Sequence, residues 1–154
     1  MTILDRTSSD QLLESLKELR LKHWSEAMIK DLAEMPPAEQ GIILRSLSRW
    51  AQTEKAERRA QMIATKIRSS RFKRVQTVDA FDFSHSKATQ VIQKSYLTLH
   101  QSVAPGSPPS AVFTGTAGMG KTHLARALGY AACQKGMSTL FTTAAEMVNQ
   151  LSHA

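Results

Sequence analysis

The stretch AVFTGTAGMGKTHLARALGYAACQKG, residues 111–136, decides the reading of this chain, and its centre is a run of glycines. Gly115, Thr116, Ala117, Gly118, Met119, Gly120, Lys121 and Thr122 fill the phosphate-loop pattern G-x-x-x-x-G-K-[ST] at every position. A polyphosphate needs several donors converging on it with no side chain in the way. Gly115, Gly118 and Gly120 permit close backbone approach and positive φ, so successive N–H groups can wrap the phosphates. The helix that follows adds the positive end of its dipole at the same spot. Lys121 supplies a full charge for the β- and γ-phosphates, and the Thr122 hydroxyl is placed to coordinate Mg²⁺. His123, directly after the loop, is a candidate to contact nucleotide or to position a neighbouring element.

Outward from the loop, AVFTG reads as a short buried strand and KTHLARALGYAACQK as a helix that Gly136 ends. MSTLFTT then reads as a second strand and AAEMVNQLSHA as a second helix. Strand, phosphate loop, helix, strand and helix in that order open a parallel α/β nucleotide-binding sheet. The expected fold class is therefore α/β, a P-loop NTPase core over residues 111–154. A connector with one helix, residues 76–110, leads into it, and a small all-α domain occupies residues 1–75.

That first domain is read from helical spacing. SSDQLLESLKELR offers Ser8, Ser9 or Asp10 as an N-cap before Leu12, Leu13, Leu16 and Leu19. The stripe Leu21, Trp24, Met28, Leu32 and Met35 continues until Pro36 and Pro37 stop it. A second helix restarts near Ala38, with Ile43, Leu47 and Trp50 as one seam and Ala56, Ala60, Ile63 and Ile67 as another. The phase slips between them near Gln52–Thr53, which predicts a bend. RVQTVDAFDFSHS suits an extended connector, SKATQVIQKSYLTLHQ a helix, and SVAPGSPPS a loop.

The chain has 154 residues and a net charge of +7. Residues 44–75 hold ten Lys/Arg against Glu54 and Glu57, a local charge of +8. Charge concentrated in this way is the footprint of an anionic polymer. Arg58, Arg59, Lys66, Arg68, Arg71, Lys73 and Arg74 are the candidate DNA contacts. With no base-reading pattern beside them, they predict sequence-independent binding of double-stranded DNA through its phosphates. The single cysteine, Cys133, excludes an intrachain disulfide and suits a reducing compartment. MTILDRTSSDQ lacks the basic-then-apolar layout of a secretory leader. The uncharged run between Lys94 and Lys121 is broken by QSVAPGSPPS, which cannot satisfy its backbone in lipid. A cytoplasmic protein with no membrane partner is expected.

GKTHLARALGYAACQKGMSTLFTTAAEMVNQL resembles the IstB-like helper ATPases of bacterial insertion sequences, relatives of the DnaC-type helicase loaders within the AAA+ superfamily. LKELRLKHWSEAM resembles the family's N-terminal helix, and TVDAFDFSHS its lead-in to the ATPase core. The resemblance implies ATP and Mg²⁺ as cofactors, assembly with further copies on DNA, and regulation of a transposase; the DnaC-like alternative implies a replicative helicase instead. It also implies that Phe81, in the FDF run, lies against the adenine. Two departures stand out. Thr116-Ala117 replaces the family's Pro-Pro or Pro-Thr, which a loop working through its backbone tolerates. After Thr122 the only acid is Glu146, in a helical context, so no apolar strand ending in acidic residues follows the loop. The expectation is a truncated AAA+ core, the N-terminal portion of such a protein, with no catalytic residue of its own; the remaining alternative is a non-hydrolysing fragment that binds DNA or assembles with its full-length relative.

Overall fold

Leu12 and Leu16 on the first helix, α1 (Ile3–Glu18), and Leu19 in the turn directly after it are all buried. The computed structural model describes residues 3–153. Ser8–Asp10, expected to cap α1, lie inside it. The helix ends in a Schellman turn: the Leu21 N–H reaches the Leu16 carbonyl and the Arg20 N–H that of Lys17, with Arg20 at φ 62°. This turn divides what the hydrophobic stripe suggested was one helix, and α2 (Lys22–Glu34) follows. After Pro36, α3 (Pro37–Ser69) runs for 33 residues without interruption, so the phase slip near Gln52 does not break it.

The chain divides into two compact units, Met1–Gln61 and Met62–Ala154, with the division falling within α3. In the first, Leu12, Leu16, Leu19, Leu44 and Ala51 form the core, with Met28, Leu32 and Leu47 packed against it. Each fully buried leucine contributes roughly 1.5–3 kcal/mol. The buried face of α3 passes through Leu44, Leu47 and Ala51 and leaves Trp50 60% exposed, one step off the expected seam. Lys55 pairs with Glu18 at 2.8 Å and the Gln52 side chain donates to Ser15 Oγ at 3.2 Å, which ties α3 to α1.

The second unit is built from the end of α3, an irregular segment with one 3-10 turn (Phe83–His85), α4 (Lys87–Ser102), α5 (Lys121–Gln134) and α6 (Ala144–Ser152). Ser86 and Thr89 form a capping box that starts α4, and Thr143 and Glu146 form one that starts α6. Hydrogen bonds from the Thr143 N–H and the Thr143 and Thr142 hydroxyls hold the Glu146 carboxyl below the usual carboxylate range. Gly136 ends α5 in a second Schellman turn, at φ 82°. Phe83, Tyr96 and Leu124 are the core, with Val78, Phe81 and Phe113 against them. The Tyr96 hydroxyl donates to the Leu124 carbonyl at 2.9 Å and so fastens α4 to α5.

The α/β expectation is overturned: among the described residues there is no strand, and the molecule is helical with irregular connections. AVFTG and MSTLFTT both run outside helices, yet neither forms a ladder with the other. A strand exists only through repeated hydrogen bonds to a neighbour. The one backbone bond from the second segment to a distant one is Phe141 N–H to the Ser70 carbonyl, 2.8 Å. Apolar content marks both stretches as strands, but it cannot supply them with the pairing partners a strand requires. Val112, expected inside a buried strand, is 89% exposed. No helix among the described residues is long and apolar enough to cross a membrane.

Burial pushes the Tyr96 hydroxyl from 10.0 up to about 12. Between those values the unfolded chain has lost a proton that the native chain keeps. The stability Tyr96 contributes is therefore complete below about pH 10 and is lost as the pH rises toward about 12. Urea unfolding at about pH 9 and about pH 11 should show a smaller drop for Tyr96→Phe than for the wild type; an equal drop refutes the assignment.

Candidate functional site

The site is built on the first turns of α5. Gly120 is the N-cap residue, left-handed at φ 78°, and offers no side-chain hydrogen bond to the helix. Both other helices that begin in this unit, α4 and α6, close their first turn with a hydroxyl. The leading amides of α5 thus keep their hydrogen-bonding capacity and the positive end of the helix dipole for an anion. Gly115 and Gly118 take φ 145° and 82°, angles that side chains disfavour. A Cβ at either of these two would meet nothing within 4 Å, so their role is conformational.

Lys121, the first residue of α5, crosses the loop: its Nζ donates to the Gly115 carbonyl at 2.9 Å and to the Thr116 carbonyl at 2.7 Å. The ammonium therefore stands over the ring of backbone that Gly115–Gly120 describes. A cleft of about 420 Å³ opens beside it, lined by Gln76, Gly118, Gly120, Lys121, Thr122, His123 and Arg126. Thr122 is exposed there. Its hydroxyl is an oxygen that fits a magnesium ion, and the lining holds no carboxylate, so further ligands would be phosphate oxygens and water. A smaller pocket of about 160 Å³ lies on the α4 side of the loop, among Ala88, Ile92, Phe113 and Met119.

The segment after α3 is laid along α5 as a strap. The Phe72 ring covers Gly129, where a Cβ would come within 2.9 Å of Cζ. Arg126 Nη1 donates to Gln76 Oε1 at 3.3 Å, and His123 Nε2 donates to the Thr77 carbonyl at 2.9 Å. Phe81 then covers Gly120, where a Cβ would run into its ring. Positions 129, 126, 123 and 120 are three apart, so each successive pair is adjacent on the helix surface, and the strap meets them in reverse order. Phe81 also packs edge-on to His123 at 5.1 Å and to Phe83 at 4.7 Å. His123 is thereby a positioning residue with one nitrogen committed to backbone.

The candidate DNA contacts fall into both units. In the first, Arg58 is engaged within the chain: Nε pairs with Glu54 at 2.6 Å and Nη1 donates to the Leu19 carbonyl at 3.1 Å. Arg59 beside it is exposed. In the second, Lys66 donates to Ser138 Oγ at 3.0 Å, while Arg68 is exposed on the last turn of α3. Arg71 ends the helix in the left-handed region at φ 58°, and Lys73 and Arg74 are exposed on the strap.

Gln76, Thr77 and Arg126 line or brace the site and were not among the residues expected from sequence. Their contacts span 46 and 50 residues, which a local pattern does not register. The three-residue spacing of Gly120, His123, Arg126 and Gly129 was the available signal.

Comparison with known proteins bears on the same residues. The model of the family described as IstB-like ATP binding protein matches residues 14–154. A Geobacillus stearothermophilus protein named for ATP binding in insertion sequence IS5376 is 32% identical over 114 residues, 70% of this chain and 42% of that protein. A Bacillus thuringiensis subsp. berliner protein named in the same way for insertion sequence IS232 is 26% identical over 155 aligned positions, 97% of this chain and 58% of that protein. The chain thus spans about half the length of these two relatives.

The glycines separate by mechanism. Gly118→Ala meets only backbone strain, about 1 kcal/mol, whereas Gly120→Ala adds a collision with Phe81 and should cost about 2–3 kcal/mol more. Urea titrations compare the two, and equal losses would remove Phe81 from the cover of Gly120.

Proposed function

Because the chain belongs to the IstB-like ATP-binding protein family, we propose that it holds ATP at Gly115–Thr122 as the nucleotide-binding part of an insertion-sequence helper. The supporting observation is the start of α5: a left-handed glycine cap, amides with no side-chain cap, and Lys121 standing over the loop. In this reading the β- and γ-phosphates lie on the amides of Gly118–Thr122, Lys121 neutralises them, and the Thr122 hydroxyl takes one position on Mg²⁺. When bound, the ion screens the charge of the phosphate tail. His123 holds the strap against α5, and Phe81 keeps the apolar wall beside the loop on which the base would rest.

The helper role extends to double-stranded DNA and a transposase, with self-assembly on the duplex. Lys66, Arg68, Arg71, Lys73 and Arg74 support the DNA contact, since the second unit has ten Lys/Arg and only three acids, Asp79, Asp82 and Glu146. Arg59 adds an exposed charge from the first unit, and Arg58 contributes less because Glu54 already holds it. The names of the relatives favour a transposition helper over a replicative helicase loader.

Calorimetry with MgATP tests the nucleotide site. Lys121→Ala removes charge-assisted contacts worth about 1.5–3 kcal/mol, so its affinity should fall by at least about ten-fold. An unchanged affinity sinks the reading. Duplex binding has a separate signature. If about five of the basic residues engage phosphates, log K should fall against log[salt] with a slope of about −4 to −5. A flat salt response in a mobility-shift titration removes the DNA contact.

A further inference from the structure

Among the described residues Arg126 has no counterion. It is half-buried on α5, and its Nε is buried with no hydrogen-bond partner. Its one bond to protein among the described residues is the 3.3 Å contact from Nη1 to the neutral Gln76 amide. The guanidinium lies 4.7 Å from the centre of the Phe141 ring, which fixes its plane without neutralising it. The second unit contains no ion pair among the described residues. Two of its three acids are otherwise occupied: Asp82 accepts from the N–H and hydroxyl of Ser84, and Glu146 caps α6. A half-desolvated guanidinium of this kind favours an anion strongly, because its own hydration has been reduced.

The cleft that Arg126 lines also contains Gly118, Gly120, Lys121 and Thr122. We propose that Arg126 is a specificity-determining residue of the nucleotide site, which reads the terminal phosphate of a nucleoside triphosphate and so separates it from the diphosphate. The inference rests on the phosphate-loop reading above. Lys121 stands at the mouth of the loop and reaches the β-phosphate, which both nucleotides carry, as well as the γ-phosphate; Arg126 adds a contact that only the γ-phosphate meets. Arg126 lies one helical turn beyond Thr122, on the side away from the loop. Its guanidinium reaches back toward the cleft on a long side chain whose plane Phe141 and Gln76 hold. The extra phosphate of the triphosphate brings both the added charge and the added length that such a position selects. The Gln76 amide is a neutral partner that gives up this guanidinium at little cost, where a carboxylate would not.

Ribose-labelled fluorescent analogues of ATP and ADP, titrated with Mg²⁺ against the full chain, decide it. Arg126→Gln should weaken the triphosphate on the order of ten-fold and the diphosphate by less than about two-fold. Arg126→Lys keeps the charge and should recover part of the triphosphate affinity. The ratio of the two affinities is independent of the fraction of protein that is folded, so a destabilised variant still gives an answer. Equal losses for both nucleotides overturn the proposal. So does an Arg126→Gln variant that loses duplex affinity while its nucleotide ratio stays at the wild-type value, since the anion would then be DNA. A wild-type chain that takes up neither analogue sinks the phosphate-loop reading itself. Failure of Arg126 alone is distinct, because the wild type then binds both.

Discussion

Everything at the site depends on the cap of α5. A helix that offers its first amides to a ligand cannot also bury them under a serine or threonine hydroxyl. Gly120 resolves this by taking the left-handed conformation with nothing on its α-carbon. The bare carbon then has to be covered from elsewhere in the chain, and Phe81 covers it. Glycine and ring are one device: the first gives the turn its shape, the second shields it from water. Because the ring occupies the volume of a Cβ, no residue but glycine fits at 120 while Phe81 is in place. His123 extends the same contact by one turn, packing against Phe81 and bonding to Thr77.

Charge is arranged to the same end. The first unit holds ten Lys/Arg and ten acids and forms its ion pairs internally, such as Lys55–Glu18 and Arg58–Glu54. The second unit carries the whole net charge of the chain. Hydrogen bonding to Ser84 holds the Asp82 carboxyl below its usual range, as capping of α6 does for Glu146. These carboxylates stay ionised, yet their oxygens are turned to backbone amides and hydroxyls and not to arginine. A positive field left open in this way raises the local concentration of anions of every kind. Selectivity among anions must come from geometry: under the proposed reading the glycine loop would supply it for phosphates, and the exposed strap residues would not.

What sequence revealed and what it hid follow from how far apart the determinants lie. Caps and stops are local, so the loop glycines, the Gly136 stop and the start of α4 at Ser86 were legible. The heptad-like stripe was legible too, but the left-handed Arg20 that interrupts it was not, because glycine is the usual marker of that turn. The sheet was read from two apolar stretches, and pairing is a property of neighbours that no single stretch contains. Trp50 was assigned to the core from its spacing, whereas Leu44 and Ala51 face inward and the ring stays out. The strap was invisible for a plainer reason. Its alternating Val75, Val78 and Phe81 marked it as extended, but nothing in RVQTVDAF names the helix it lies along.

The loop keeps its form without a ladder of strands beside it, and the reason is visible beneath α5. Leu124 is 1% exposed and packs with Phe83 and Tyr96, and Phe113 approaches from the segment that leads into the loop. The Tyr96 hydroxyl holds the Leu124 carbonyl, and the Lys135 ammonium donates to the carbonyls of Gln101 and Val103 at the far end of α4. Those bonds fix both ends of α5 against α4, so the helix cannot slide or roll independently of it. The strap then touches the helix at four positions, Gly120, His123, Arg126 and Gly129, over about two and a half turns. With the helix axis fixed, the direction of its first amides is fixed as well, and the glycines need only close the loop over them. Orientation of the amides comes from burial of one helix face, and freedom to bind comes from leaving its cap bare.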